Sequence, residues 1–468
     1  MERVPTHTPH LDDVLHGGLP RGALVLLGGR SGTGKTLMAL QWLFGNATDE
    51  DPGLYLTTLS EPREKLLRHL AGYPFFDPDA VGGRVRFGDL SEALLDGGPQ
   101  AALDALVAAL REHQPRYLVL DSFKALGDLA RSPQEFRPVV FQLGAYLATL
   151  PVTALLLGEY SDLSLVESVE ASVVDAIVYV RNEIQPDSTD ARTLRVVKLR
   201  GSGFQAGEHP LWIDDNGVQI SPRYVTPPDP AAYVPSTDRL STGVAGLDEL
   251  TGGGFTQGSA TLFVGGPGTG KTTFCLHAVE AACRRGVPSL FVSFQEDPNQ
   301  MARLFGELRG DATDEGVAPE FFYTSPVELT NDRHVQAVVR RAAATGAGLV
   351  AIDSLSDLRA AGSDRFLPFV YSLVQHFKDR RISLVMTLEN SELFGPVRVS
   401  GLGLSYVADN LVLLRYVEEA SELGKVLTVI KARGTHHSRE IRRYEIDRQG
   451  VRVLDPVREI TSLFSGAG

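Results

Sequence analysis

Cysteine is scarce in this chain. Its 468 residues hold only Cys275 and Cys283, eight positions apart, with no C-x-x-C and no metal-ligand spacing. That excludes a disulfide-stapled scaffold and a zinc module, and predicts two reduced thiols in a cytoplasmic protein. Long apolar runs are also missing. No stretch approaches the ~20 residues of a membrane-spanning helix, and Met1-Glu2-Arg3-Val4-Pro5 carries no apolar signal region. A soluble protein with no membrane partner is expected. Nor is there a basic surplus: 45 Lys and Arg stand against 58 Asp and Glu, a formal charge of −13. Proteins that coat nucleic acid carry the opposite balance, which argues against a nucleic-acid partner.

What the chain does have is glycine in a telling pattern. Gly29-Arg30-Ser31-Gly32-Thr33-Gly34-Lys35-Thr36 and Gly265-Gly266-Pro267-Gly268-Thr269-Gly270-Lys271-Thr272 both match G-x-x-x-x-G-K-[ST], 236 residues apart. In such a loop the glycines let backbone N–H groups curl around phosphates. The lysine reaches the terminal phosphates and the threonine hydroxyl ligates Mg²⁺. Thr273 follows the second loop and is grouped with it as a nucleotide-binding residue.

The repeat extends beyond the loops. Leu11-Asp12 matches Leu247-Asp248, and Gly17-Gly18-Leu19 matches Gly253-Gly254-Phe255. Tyr117-Leu118-Val119-Leu120-Asp121-Ser122 parallels Leu349-Val350-Ala351-Ile352-Asp353-Ser354, and Val196-Val197-Lys198-Leu199-Arg200-Gly201 parallels Val429-Ile430-Lys431-Ala432-Arg433-Gly434. The offset drifts by only a few residues, so a whole domain is duplicated rather than a short solenoid unit. The expected division is a first domain over 1–220, a proline-rich linker over 221–236 and a second domain over 237–468. Each half reads as α/β. Short apolar strands at Leu24–Gly28, Leu54–Leu59, Tyr117–Leu120, Thr153–Leu157 and Ala176–Val180 alternate with helical stretches such as Ala101–His113. Buried runs in that order predict a largely parallel sheet covered on both faces. Leu194–Leu199 and Leu427–Lys431 follow with little room for a helix and are expected to add an antiparallel extension.

Each loop needs acidic company. Asp121 and Asp353 end apolar runs 86 and 82 residues after Lys35 and Lys271 and are the expected Mg²⁺-side carboxylates. Glu61 and Glu296 follow the second strand of each half, where a doubly wound sheet opens to its ligand crevice, and are the candidates to activate the attacking oxygen. The cations of K-x-R-G, Lys198 and Arg200 and then Lys431 and Arg433, recur in both halves. They suit a γ-phosphate, within one subunit or across an interface. His436-His437 lacks a further ligand cluster and reads as an exposed loop.

In these residues the chain resembles the KaiC family, tandem RecA-like ATPases known from the cyanobacterial circadian clock. The resemblance rests on H-G-G-L-P at His16–Pro20, the two phosphate loops, L-D-E at Leu247–Glu249, K-L-R-G at Lys198–Gly201 and K-A-R-G-T-H-H at Lys431–His437. It implies two tandem RecA-like P-loop domains that bind ATP with Mg²⁺. It also implies a homo-hexamer of two stacked rings with ATP at the subunit interfaces, where Lys198, Arg200, Lys431 and Arg433 reach a neighbour's nucleotide. The family's first ring is an ATPase and its second a Ser/Thr autokinase, so a signalling protein is the implied partner.

This sequence departs from the family twice. The family's paired glutamates fall on Ser60-Glu61 and Gln295-Glu296, which predicts slow rings. Its Ser-Thr phosphoacceptor pair falls on Ser405-Tyr406, leaving Ser405 as the one candidate phosphosite. A DNA-dependent RecA-like motor and a non-hydrolysing, ATP-assembled scaffold are the alternatives.

Overall fold

The computed structural model describes residues 2–59, 62–166, 168–184, 190–223, 236–310, 316–325, 331–360, 366–390, 406–419 and 422–457. The chain forms two compact units, 1–223 and 224–468. Of the proline-rich linker expected between them, residues 224–235 lie outside the described residues.

Among the described residues, each unit is built on a nine-stranded sheet. In the first, the strands run in the order Gly217–Ile220, Glu208–Asp214, Asp190–Leu199, Ala176–Ile184, Leu24–Gly29, Thr153–Glu159, Tyr117–Asp121, Gly53–Thr57 and Val85–Asp89. From Ala176–Ile184 onward all pairings are parallel, and the three strands before it are antiparallel. The second unit repeats this plan around Ala260–Gly265, with Ser383–Glu389, Leu349–Asp353, Ser289–Ser293 and Glu320–Tyr323 on one side. Asn410–Glu419, Glu422–Ala432, Arg442–Asp447 and Gly450–Pro456 lie on the other. The α/β class and the antiparallel extension read from sequence are both present. The extension is longer than expected, because two further strands follow in each unit.

The alternation of the central strand explains the layering. Val25 and Leu27 pack with Met38 and Trp42 of the helix Lys35–Asn46. Leu24 and Leu26 face the other way, against Leu103 and Leu106 of Ser91–His113 and Val140 and Leu143 of Pro133–Leu147. A strand buried on both faces needs apolar residues at every position, and each such side chain contributes about 1.5–3 kcal/mol. The second unit does the same. Phe263 packs with Phe274 and Cys275 of Lys271–Arg284, while Leu262 and Val264 meet Val370, Leu373 and Phe377 of Phe366–Asp379. The helix read at Ala101–His113 begins earlier, at Ser91, and is broken at Gly98 (φ 69°) before Pro99. That break is where the helical signal stops.

Candidate functional site: two phosphate loops and their acidic partners

Both loops sit between a central strand and a long helix, Leu24–Gly29 into Lys35–Asn46 and Ala260–Gly265 into Lys271–Arg284. The helix N-caps are Gly34 (φ 99°) and Gly270 (φ 89°), a left-handed conformation that a side chain would strain. A Cβ at Gly34 would also come within 2.7 Å of Ile213, and one at Gly270 would strike the equivalent Ile446. Thr33 and Thr269 are fully buried and donate to Arg30 O and Gly266 O, each at 2.8 Å. Their side chains therefore brace the loop. Ser31, Gly32 and Gly268 are exposed at the loop crests.

The ammonium of Lys35 donates to Gly29 O (2.9 Å) and Arg30 O (2.8 Å), and that of Lys271 to Gly266 O (2.9 Å). Burial lowers the pKa of each lysine. Glu159 and Asp121 oppose this at Lys35, and Glu389 and Asp353 oppose it at Lys271. Glu389 lies 3.9 Å from the Lys271 Nζ. Glu159 and Glu389 end equivalent strands, so comparing the repeats could have found them; sequence reasoning passed them over.

Behind each loop the threonine and aspartate meet. Thr36 Oγ1 donates to Asp121 Oδ2 at 2.7 Å, and Thr272 Oγ1 to Asp353 Oδ2 at 2.5 Å. A third group completes each pair: Tyr55 OH donates to Asp121 Oδ2 at 2.8 Å, and Thr387 Oγ1 bonds Asp353 Oδ1. No sequence signal marked Tyr55 or Thr387, because each is simply an apolar-strand position whose neighbour happens to be the aspartate. Asp353 is buried, which raises its pKa, while its hydroxyl partners and Lys271 pull the other way. A hydroxyl and a carboxylate side by side are hard oxygen ligands of the kind Mg²⁺ takes beside a nucleotide. The residues present fit that ion and a phosphate chain.

Glu296 is half-buried. Its amide donates to Ser293 Oγ (3.0 Å), and the same hydroxyl lies 3.4 Å from Glu296 Oε2. Burial first, then the nearby Asp353 charge, raises its pKa. Ser60, Glu61 and Ser405 lie outside the described residues.

The K-x-R cations are not brought to their own loops. Lys198 pairs with Ile177, which lies opposite Leu26, three residues before Gly29. Lys431 pairs with Leu411, opposite Leu262, three residues before Gly265. At 3.3 Å per residue this puts them roughly 10 Å from the loop end of the sheet, with the arginines further still. Both pairs instead hold matching carbonyls: Lys198 bonds Ala171 O (2.8 Å) and Arg200 bonds Ser172 O (3.1 Å), while Lys431 bonds Ala408 O (2.6 Å) and Arg433 bonds Tyr406 O (3.2 Å). His436 and His437 lie in the loop after Ala432, and no cluster of three His, Cys, Asp or Glu suited to a metal exists among the described residues.

A sequence model described as "ATPase: KaiC" matches residues 4–225 and 240–458, one match per unit. The chain belongs to the KaiC ATPase family. Among its curated relatives is the circadian clock oscillator protein KaiC of Picosynechococcus sp., 29% identical over 483 residues, covering all of this chain and 92% of the relative. The protein of the same name from Thermostichus vulcanus is 29% identical over 496 residues with the same coverage, as is that of Nostoc sp. over 489 residues. KaiC membership accounts for the tandem α/β plan and supports ATP binding and P-loop ATPase activity. Among the described residues no helix is long and apolar enough to cross a membrane.

Proposed function

We propose that the protein is a Mg²⁺-dependent ATP hydrolase that works as a homo-hexameric, nucleotide-driven switch in the cytoplasm. The observation that carries this reading is the duplicated arrangement in which a loop threonine meets a strand-end aspartate, Thr36 with Asp121 and Thr272 with Asp353. In each repeat the loop amides and Lys35 or Lys271 would hold the phosphates, and the hydroxyl and carboxylate would hold Mg²⁺, which when bound would screen the phosphate charge. Glu296, half-buried and more basic than an ordinary carboxylate, takes the proton of the attacking water in the second repeat. Glu61 is the candidate for that role in the first. Lys198/Arg200 and Lys431/Arg433 stand at the far end of the sheet from their own loops, which supports a role at a neighbouring subunit's nucleotide, with ATP at subunit interfaces. Their carbonyl contacts hold them ready at the surface. The cytoplasmic setting is supported by two unpaired, buried thiols.

Autophosphorylation at Ser405 by the second repeat is carried by the KaiC resemblance, as is a signalling partner. Purified protein with γ-labelled ATP and Mg²⁺ separates the activities. Label in free phosphate, with ATP-dependent growth to a hexamer by light scattering, supports the switch. Label on protein, lost in Ser405→Ala, adds the kinase. ATP bound with no transfer over hours would leave only a scaffold.

A further inference from the structure

The end of the strand Ser289–Ser293 carries a glutamine–carboxylate contact whose two residues the first repeat does not have. Ser293 pairs with Asp353, and the Phe294 amide donates to Asp353 O at 3.2 Å. The next residue, Gln295, therefore stands at the same end of the sheet as Lys271 and Thr272. Its Nε2 donates to Asp357 Oδ1 at 3.1 Å and to Oδ2 at 3.4 Å. Asp357 lies in the first turn of Leu355–Ala360, and its Oδ2 accepts from Ser354 Oγ at 2.5 Å.

A carboxylate only accepts hydrogen bonds, so it fixes which end of the glutamine amide faces it. The NH₂ is turned toward Asp357 and the Oε1 carbonyl away. Aligning Asp121-Ser122 with Asp353-Ser354 puts Ala125 where the second repeat has Asp357. Alanine has no acceptor to offer. Thr57 pairs with Asp121 as Ser293 does with Asp353, so by strand register Leu59 stands where the second repeat has Gln295, and its side chain offers no hydrogen bond. The glutamine with its carboxylate is a device of the second repeat.

We propose that Gln295 orients the attacking water in the second repeat and that Asp357 is its positioning residue. This rests on the reading of that repeat as an ATP hydrolase. The Gln295 carbonyl accepts a hydrogen bond from the water, whose oxygen attacks the γ-phosphorus. The bond to the β–γ bridging oxygen breaks, and its electron pair leaves with ADP. The water's proton passes to the Glu296 carboxylate. Gln295 takes no proton; it selects the orientation in which the water's lone pair faces phosphorus. Without Asp357 the amide is free to turn its NH₂ to the water, which donates where an acceptor is needed.

The test uses the full chain carrying Lys35→Ala, so that phosphate release reports the second repeat alone. In that background Gln295→Ala and Asp357→Ala each lower kcat about tenfold or more, the scale of one charge-assisted hydrogen bond, with KM for ATP little changed. The double variant is no slower than Gln295→Ala, because the two act as one unit. Asp357→Glu recovers part of the loss, which a merely folding-related role would not require, and thermal unfolding of each variant matches the parent. Full kcat in Asp357→Ala, or losses that multiply in the double variant, would overturn the inference while leaving ATP hydrolysis standing. A Lys35→Ala protein that binds ATP but releases no phosphate would overturn both this inference and hydrolysis in the second repeat.

Discussion

Arg200 and Arg433 offer a test of whether the proposed ATP sites are shared between subunits. Their side chains are 55% and 53% exposed, and their ion pairs to Asp175 and Asp409 are long, 3.6 Å in each case. Exposed pairs of this kind contribute about 0–1 kcal/mol. Asp409 keeps Lys378 at 2.9 Å, and Asp175 keeps the Leu24 amide at 3.0 Å, so neither carboxylate is stranded when its arginine is removed. Arg200→Ala/Arg433→Ala should therefore fold normally, with Tm lowered by no more than about 2–4 °C. Turnover should fall far more, by about 10³–10⁵-fold if the guanidinium stabilises the transferring phosphoryl group as an arginine finger does. A second protein, Asp121→Asn/Asp353→Asn, keeps its arginines and phosphate loops but loses the carboxylates proposed to hold Mg²⁺, and should also be inactive. Mixing the two and letting rings re-form decides the geometry. With random reassembly about a quarter of interfaces join an intact loop to a neighbour's intact cations, so turnover should return to about a quarter of the wild type. Mixed rings no more active than their parts would refute the trans arrangement argued from the strand register.

Three further outcomes follow from the same contacts. Glu296→Gln should lower phosphate release from a Lys35→Ala background by about 10²–10⁴-fold, the range for losing a general base. Because burial raises the Glu296 pKa, that activity should fall on acidification at a higher pH than an ordinary carboxylate would dictate. Gly34→Ala and Gly270→Ala force a side chain into a left-handed cap against Ile213 and Ile446; each should abolish ATP binding at its own loop, read by equilibrium dialysis. His277, whose Nε2 accepts the Val451 amide at 2.8 Å, is held neutral by burial with its pKa lowered to about 4. Its folded pKa lies below the unfolded value of about 6.5, so its contribution is present above pH 6.5 and is lost as pH falls toward 4, on the order of 3 kcal/mol. The equivalent Gln41 accepts the Val218 amide at 2.9 Å without titrating, so His277→Gln should flatten the acid dependence of unfolding in chemical denaturation.

How much of this was legible in the sequence depends on how local the cause is. The phosphate loops are legible because Gly34 and Gly270 are dictated by backbone conformation, and Lys35, Lys271, Thr36 and Thr272 are tied to them in register. Asp121 and Asp353 are legible because apolar runs end there twice. The sheet itself was readable from two-sided burial of strands such as Leu24–Gly29. What stayed hidden depends on side chains meeting across the sheet: Tyr55 with Asp121, Thr387 with Asp353, Gln295 with Asp357. The distance between K-x-R-G and its own loop was equally hidden, because it follows from the antiparallel return of Asp190–Leu199 and Glu422–Ala432 rather than from residue spacing.

The most direct measurement counts ATP bound and phosphate released per chain, with Mg²⁺, for the wild type, Lys35→Ala, Lys271→Ala and the double variant. Two working sites predict two bound nucleotides in the wild type, one in each single variant and none in the double, with release falling in parallel. A double variant that still binds ATP and releases phosphate like the wild type would contradict the account at its centre.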